Sequence, residues 1–269
     1  MFGAVIGKIC RRDLRLYAPG NKHQIMFKSI IRHPLLLLYL ALSVLHLLAE
    51  QQAWELVILG TKPLLMPVLA LWLWQQTKSV PSLVRTFLLL GLLFSCGGDT
   101  LLMFVEHGPQ QEHFFLLGLG SFLLAQLCYS IALFRFPKLR EGLVANHPWL
   151  GLLFMGYWYW IIKTLLPGIP GAMLIPVAVY ALAIVAMAVL ALNLSGRITS
   201  RVFGGFFFGV ALFVLSDSLI AFNKFSEPVP YARFLIMFTY LAAQLLITWN
   251  AKPIIEAAAQ KNADQPTES

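Results

Sequence analysis

Apolar runs recur along the chain at about 34–50, 58–76, 84–105, 113–136, 148–166, 171–193, 202–223 and 231–250. They leave few folds open. In hydrocarbon every backbone N–H and C=O must be bonded within the protein, which only helices and closed barrels achieve. Runs near 20 residues have the length of a spanning helix and are too long for barrel strands. The expected fold is therefore all-α, a polytopic membrane protein of eight transmembrane helices. Composition agrees: 59 % of residues are apolar and 12 % charged, with a mean hydropathy of +0.75. A soluble domain is nearer half apolar and a quarter charged. The intervening loops are short and carry Pro or Gly, so none folds as a separate domain. The expected organisation is a basic arm over 1–33, a transmembrane domain over 34–250 and a polar tail over 251–269, frayed from Lys252 onward.

The formal net charge of +8 would suit an anionic polymer, but its distribution argues against nucleic acid. Of the twenty Lys and Arg, sixteen fall in the N-terminal arm, in the loops near 77–85, 135–141 and 194–201, and in the C-terminal tail. The opposite side holds only Lys62, Lys163, Lys224 and Arg233. The positive-inside rule then places both termini in the cytoplasm, and we read the membrane as a bacterial inner one. In the arm, the apolar stretch Phe2–Gly7 precedes the basic residues, the reverse of a secretory signal. Cys10, Cys96 and Cys128 are too scattered to suggest a disulfide framework or a metal motif.

Two of these spans carry a repeated polar pattern. Ser95-Cys96-Gly97-Gly98-Asp99-Thr100 is followed by Phe122-Leu123-Leu124-Ala125-Gln126, and Val214-Leu215-Ser216-Asp217-Ser218 by Tyr240-Leu241-Ala242-Ala243-Gln244. A shift of 118 (217 − 99) superposes Asp99 on Asp217, Thr100 on Ser218, Gln126 on Gln244 and Ser130 on Thr248. The Asp-to-Gln spacing is 27 in both copies. Four helices separate the copies, so they share one orientation in a four-plus-four pseudo-repeat bundle. In such bundles, sites form at the repeat interface.

Asp99 and Asp217 are the two carboxylates expected inside the membrane, in the outer halves of spans 3 and 7. A carboxylate at that depth costs several kcal/mol unless it faces the bundle and is bonded there. Two carboxylates in one pocket would not both ionise near neutral pH, which makes an acid/base pair. The plainer alternative is a pair of polar helix locks. Lys62, in Thr61-Lys62-Pro63, is read as opening span 2 near the outer face. There it pairs with an aspartate, binds a lipid phosphate or snorkels. Gln126 and Gln244 orient water or a carboxylate, or join helices. Ser95, Thr100, Ser216 and Ser218 flank the aspartates as hydrogen-bond partners. His46, four residues before Glu50, is read as interfacial. No Gly-x-Ser-x-Gly elbow and no HExxH motif occurs, and no metal or cofactor is expected. Tyr157-Trp158-Tyr159-Trp160 either anchors span 5 at the interface or lines a cleft for an acyl chain.

Several of these residues together resemble the YhhN-like lysoplasmalogenase family of integral membrane proteins. The resemblance lies in Lys62-Pro63, Ser95-x-x-Gly98-Asp99, Gly118-x-Gly120-Ser121-Phe122-Leu123-Leu124-Ala125, Leu215-Ser216-Asp217-Ser218 and Tyr240-x-x-x-Gln244. It covers roughly 34–250. It implies hydrolysis of the vinyl ether bond of lysoplasmalogens, giving a fatty aldehyde and a glycerophospho-ethanolamine or -choline. The expected partners are then a lysophospholipid substrate and the bilayer. An aspartate pair suits that chemistry, which needs an acid for carbon, a base for water and negative charge near an oxocarbenium ion. Asp99 and Asp217 would form the pair, with Lys62, Ser95, Gln126, Ser216, Tyr240 and Gln244 supporting it or binding substrate. The main alternative is a lipid or amphiphile transporter or flippase using proton-coupled aspartates. Few central Gly or Pro breaks in the spans count against it. A non-catalytic lipid-binding protein and a hydrolase of another ether lipid are further alternatives.

Overall fold

The computed structural model describes residues 33–105 and 111–263. The N-terminal arm, apart from His33, therefore lies outside the described residues, as do 106–110 and 264–269. Among the described residues, eight helices are long and apolar enough to cross a membrane. They are α1 (Pro34–Gln52), α2 (Glu55–Thr77), α3 (Leu83–Met103), α4 (Gln111–Phe134), α5 (Trp149–Leu165), α6 (Gly171–Leu192), α7 (Ser200–Phe225) and α8 (Ala232–Ala263). The chain is an all-helical, multi-pass integral membrane protein. Leu56, Leu152 and Ile175 are among the apolar side chains turned outward, as a lipid-facing surface requires.

Helix ends follow local chemistry. Pro34 starts α1, where its missing N–H is no loss. Ala53 ends it in the left-handed conformation, φ 53°, and Trp54 N–H returns to Ala49 O at 2.9 Å. This two-residue turn makes α1 and α2 an antiparallel hairpin. Ser82 caps α3 by accepting the Val84 N–H.

Two boundaries differ from the sequence expectation. Lys62 and Pro63 do not open the second span. That helix begins at Glu55, because the apolar turn Leu56-Val57-Ile58-Leu59 precedes the lysine, and Lys62 sits two turns inside. The last helix continues past residue 250 to Ala263. Ala251, Ile254, Ile255 and Ala258 are buried, so residues 252–263 are not frayed. An apolar stripe at helical spacing continues beneath the polar residues.

Prolines 63, 67, 176 and 253 lie inside helices that nonetheless continue. Pro67 has no N–H to offer the Pro63 carbonyl four residues back. The Cys96 thiol of α3 donates to that oxygen instead, at 3.4 Å.

The repeat is visible in packing. The pairs α3/α4 and α7/α8 are the most intimately packed. Gly91 and Gly209, related by the same shift of 118, make both approaches close. A side chain on Gly91 would run into the Tyr129 ring, and one on Gly209 would lie 3.0 Å from Ile247 N and 3.1 Å from Ala243 O. Helix α8 is central: Tyr39 of α1 donates to its Leu241 O at 2.8 Å, and Trp72 of α2 stacks on Trp249. Helix α5 is the most peripheral.

At the end carrying the α4–α5 and α6–α7 loops, Arg197 joins the two connections. It donates to Phe136 O at 2.5 Å and Pro137 O at 2.7 Å, and lies 4.8 Å above the Phe136 ring. Burial lowers its guanidinium from the ordinary value to about 10, with Glu141 opposing the shift, so it stays charged at neutral pH. Asn193 adds two bonds, accepting from Ala145 N and donating to Leu139 O.

Candidate active site

Asp217 lies about two turns before the end of α7 and lines a narrow, largely apolar cleft between α4, α5, α6 and α7. Leu102, Phe115, Phe122, Ile161, Val177 and Val214 form much of its wall. The polar atoms in it come from Asp217, Ser218, Tyr157 and Tyr180. Tyr180 of α6 donates to Asp217 Oδ2 at 2.5 Å, and Gln126 of α4 donates to the same oxygen at 3.1 Å. Both donors therefore land on Oδ2, and among the described residues Oδ1 receives none. Tyr157 and Ser218 share a 2.5 Å hydrogen bond beside it.

Asp99 sits deeper, 3 % exposed on α3, and does not line the cleft. Tyr240 of α8 donates to its Oδ2 at 2.7 Å. The two carboxylates communicate through charge and through a ring pair. Phe122, a wall of the Asp217 cleft, meets Tyr240 edge to face at 5.9 Å. Phe122 and Tyr240 are themselves equivalent under the repeat (240 − 122 is again 118). Gly98, one residue before Asp99, leaves room for the Phe122 ring, which any side chain there would strike.

The holding is crossed. The aspartate of the first copy is bonded by the second helix of the second copy, and Asp217 by Gln126 of the first. The symmetry stops at the donors, because Phe122 has no hydroxyl to match that of Tyr240. Gln244 likewise does not bond a carboxylate. It donates to Ser95 Oγ at 3.0 Å and accepts from Tyr129 OH at 2.8 Å, all three buried. Ser216 donates to Ile236 O at 3.2 Å and so ties α7 to the α8 backbone. Thr100 and Ser218 donate to carbonyls four residues back on their own helices. Gln126 Oε1 is buried and accepts nothing from the described residues.

Lys62 lies in a second, polar chamber with Glu50, Asn223, Lys224 and Arg233. This vestibule shares Leu102, Phe115 and Ile220 with the Asp217 cleft. It shares Glu50, Asn223 and Arg233 with an outer depression that includes Tyr231. The three adjoin one another in turn between the polar end of the bundle and Asp217. The charge of Lys62 acts on both Asp99 and Glu50. Arg233 Nε bonds Glu50 Oε2 at 2.7 Å, and its Nη1 bonds Glu55 at 3.2 Å. His46 is not interfacial. It is fully buried, with Nδ1 2.8 Å from Thr61 Oγ1 and Nε2 3.4 Å from Glu50 Oε1, which fixes α1 against α2.

The aromatic cluster of α5 divides by face. Tyr157 lines the cleft, the Trp158 Nε1–H bonds Ala178 O at 3.1 Å, and Tyr159 and Trp160 point outward. Sequence reasoning missed Tyr180, Tyr129 and Arg233 as parts of the site. Tyr180 stands alone in the apolar run 171–193, and its isolation there was the only available signal. Among the described residues no three His, Cys, Asp or Glu side chains converge as a metal site would require.

Comparison with known proteins bears on this architecture. The YhhN family model matches residues 57–251, a stretch that contains Lys62, both aspartates, both glutamines and the tyrosines that bond them. Lysoplasmalogenase TMEM86A of Bos taurus and that of Homo sapiens are each 35 % identical over 199 residues, covering 69 % of this chain and 75 % of theirs. Lysoplasmalogenase TMEM86B of Homo sapiens is 34 % identical over 208 residues, covering 75 % of this chain and 77 % of its own. No solved structure matches the chain. With its eight helices, its internal repeat and a family match across most of its length, this chain belongs to the YhhN family.

Proposed function

We propose that the protein hydrolyses the vinyl ether bond of lysoplasmalogens, releasing a fatty aldehyde and a glycerophospho-alcohol. The observation that carries this reading is a carboxylate on an apolar cleft that opens into a cationic vestibule. In this reading the alkenyl chain lies along the first chamber and the phospholipid headgroup in the second, with the ether bond where they meet. Similarity to the lysoplasmalogenases TMEM86A and TMEM86B supports the substrate class.

Asp217 then acts directly. Its carboxyl proton passes to the vinyl carbon remote from the ether oxygen, and the carbon bonded to oxygen shares the positive charge with that oxygen as an oxocarbenium ion. The carboxylate left behind stabilises that cation at close range, in a low dielectric where charge interactions are strong. It next takes a proton from the water that adds to the cationic carbon. The hemiacetal formed collapses to the aldehyde and the freed glycerol hydroxyl, so one water is consumed and one C–O bond broken. Tyr180 and Gln126 hold Oδ2 and leave Oδ1 for the proton. Gln126 Oε1 is an acceptor positioned to orient the water. Asp99, tied to Tyr240, adds negative charge behind the site, and Lys62 balances it. On the positive-inside count we place both termini in the cytoplasm, the vestibule on the opposite side and the protein in a bacterial inner membrane.

The test is aldehyde release by purified protein in detergent from a lysoplasmalogen, with the saturated alkyl-ether analogue as control. Aldehyde from the vinyl ether alone, lost in Asp217→Asn, is the expected result. A folded protein that yields no aldehyde, or an Asp217→Asn variant at full rate, overturns it.

A further inference from the structure

The vestibule contains more positive charge than catalysis at Asp217 requires, and its cations are not equivalent. Arg233 is engaged by Glu50 and Glu55. Glu50 in turn faces Arg233 through Oε2 at 2.7 Å, and its Oε1 lies 3.4 Å from His46 Nε2. That leaves two ammonium groups. Lys62, half-buried on α2, acts on Glu50 and Asp99 through charge alone; among the described residues it makes no ion pair. Lys224 of α7 lies 5.3 Å above the ring of Phe115, a buried residue shared by vestibule and cleft. It therefore leans over the vestibule and not out to lipid. Lys163 shows the other behaviour on the same side of the bundle. Its ammonium lies 5.9 Å above Tyr159, which is 61 % exposed, as a snorkelling lysine does.

We propose that Lys62 and Lys224 form a phosphate-binding subsite that recognises the phosphate of the glycerophospho headgroup, and that the amine beyond the phosphate is not read. The inference rests on the hydrolase reading for its substrate and adds the part of the headgroup that is recognised. Two lysines lining one chamber, whose carboxylate among the described residues is already paired with Arg233, favour an anion. Among the described residues lining the chamber, an incoming ammonium finds no unpaired carboxylate, because Glu50 is already paired with Arg233. A phosphate anchored there sits a few bonds from the ether, which the shared wall at Leu102, Phe115 and Ile220 brings to the mouth of the cleft. Ethanolamine and choline headgroups are then handled alike, and an alkenyl-glycerophosphate without any amine is accepted.

The experiment compares four substrates with the purified full chain: alkenyl-glycerophosphoethanolamine, alkenyl-glycerophosphocholine, alkenyl-glycerophosphate and alkenylglycerol. The first three are expected to share a KM within about threefold, and alkenylglycerol to have one about tenfold or more higher, the loss of one or two charge-assisted hydrogen bonds. Lys224→Gln raises KM about tenfold for the phosphate-bearing substrates, leaves kcat near wild type and leaves alkenylglycerol unaffected. Lys62→Gln raises KM for the phosphate-bearing substrates likewise but, unlike Lys224→Gln, also lowers kcat on all four substrates, because its charge reaches Asp99. Lys163→Gln changes nothing. Native mass spectrometry of the same variants with non-hydrolysable alkyl-ether lysophospholipid and with alkylglycerol reports the subsite without turnover. Preference for the phosphate-bearing lipid, lost in Lys224→Gln, supports the subsite even if no aldehyde forms; in that event only the hydrolase reading fails. Equal binding of the two lipids, equal weakening of both by Lys224→Gln, or a strong preference between ethanolamine and choline overturns the phosphate subsite.

Discussion

Both hydrogen bonds to Asp217 fall on one oxygen, and the proposed reaction depends on that detail. A carboxyl group pinned at Oδ2 by Tyr180 and Gln126 presents the other oxygen in a fixed direction. Replacing Asp217 with Asn keeps shape and polarity but removes the transferable proton. Aldehyde release should fall by about 10²–10⁴ in kcat, the usual contribution of a positioned proton donor, with the melting profile retained. Tyr180→Phe leaves Gln126 in place and should cost about tenfold, the loss of one hydrogen bond to a charged group. An unchanged kcat for Tyr180→Phe would remove that tyrosine from the site. The aspartates themselves were legible in the sequence, because a carboxylate in an apolar run needs a reason to be there. Tyr180 was not legible, because tyrosine is ordinary in a membrane helix and only its neighbour on another helix gives it a role. Gln244 shows the converse. The spacing of 27 marked it as equivalent to Gln126, yet its partner is Ser95, since Tyr240 had already taken the oxygen of Asp99.

Between elements, close approach decides which substitutions the bundle tolerates. A methyl group on Gly209 would press on backbone atoms of α8, which cannot rotate away. Gly204, on the same helix, has nothing within 4 Å of that position. Gly209→Ala should therefore destabilise by about 1–3 kcal/mol through overpacking, while Gly204→Ala should be neutral or gain up to about 1 kcal/mol in helix propensity. Thermal melting in one detergent compares them, and equal effects would mean that α7 and α8 are not in contact there. Arg197 acts between loops. Lysine keeps the charge but cannot reach Phe136 O and Pro137 O together, so Arg197→Lys should lower stability by about 1–3 kcal/mol. The number and order of the helices were readable from the apolar runs, but their ends were less so. Lys62 looked like a boundary because lysine usually stays at the interface, yet it enters α2 where Glu50 and Asp99 offer opposite charge. The end of α8 was hidden because Lys252 and Glu256 lie on the face opposite Ile254, Ile255 and Ala258.

For the whole molecule, the charge count predicts an orientation: the vestibule end outside, the Arg197 end inside. In a cysteine-free background, Tyr231→Cys should react with a membrane-impermeant maleimide in intact cells, and Glu141→Cys only after lysis. Labelling in the reverse order would invert the topology and move headgroup release to the cytoplasm. The crossed holding of the two aspartates also bears on how the protein is made. Asp217 enters the bilayer after both its donors, Gln126 and Tyr180, have already been synthesised. Asp99 is bonded by Tyr240, which lies 141 residues further along the chain. At 5–20 residues per second, the ribosome takes roughly seven to thirty seconds to supply it. During that interval the translocon or a chaperone must shelter α3, or its carboxyl group must insert in neutral form. A nascent chain that stops before α8 therefore carries within the bilayer an acid without its hydrogen-bond donor, a defect that membrane quality control can recognise.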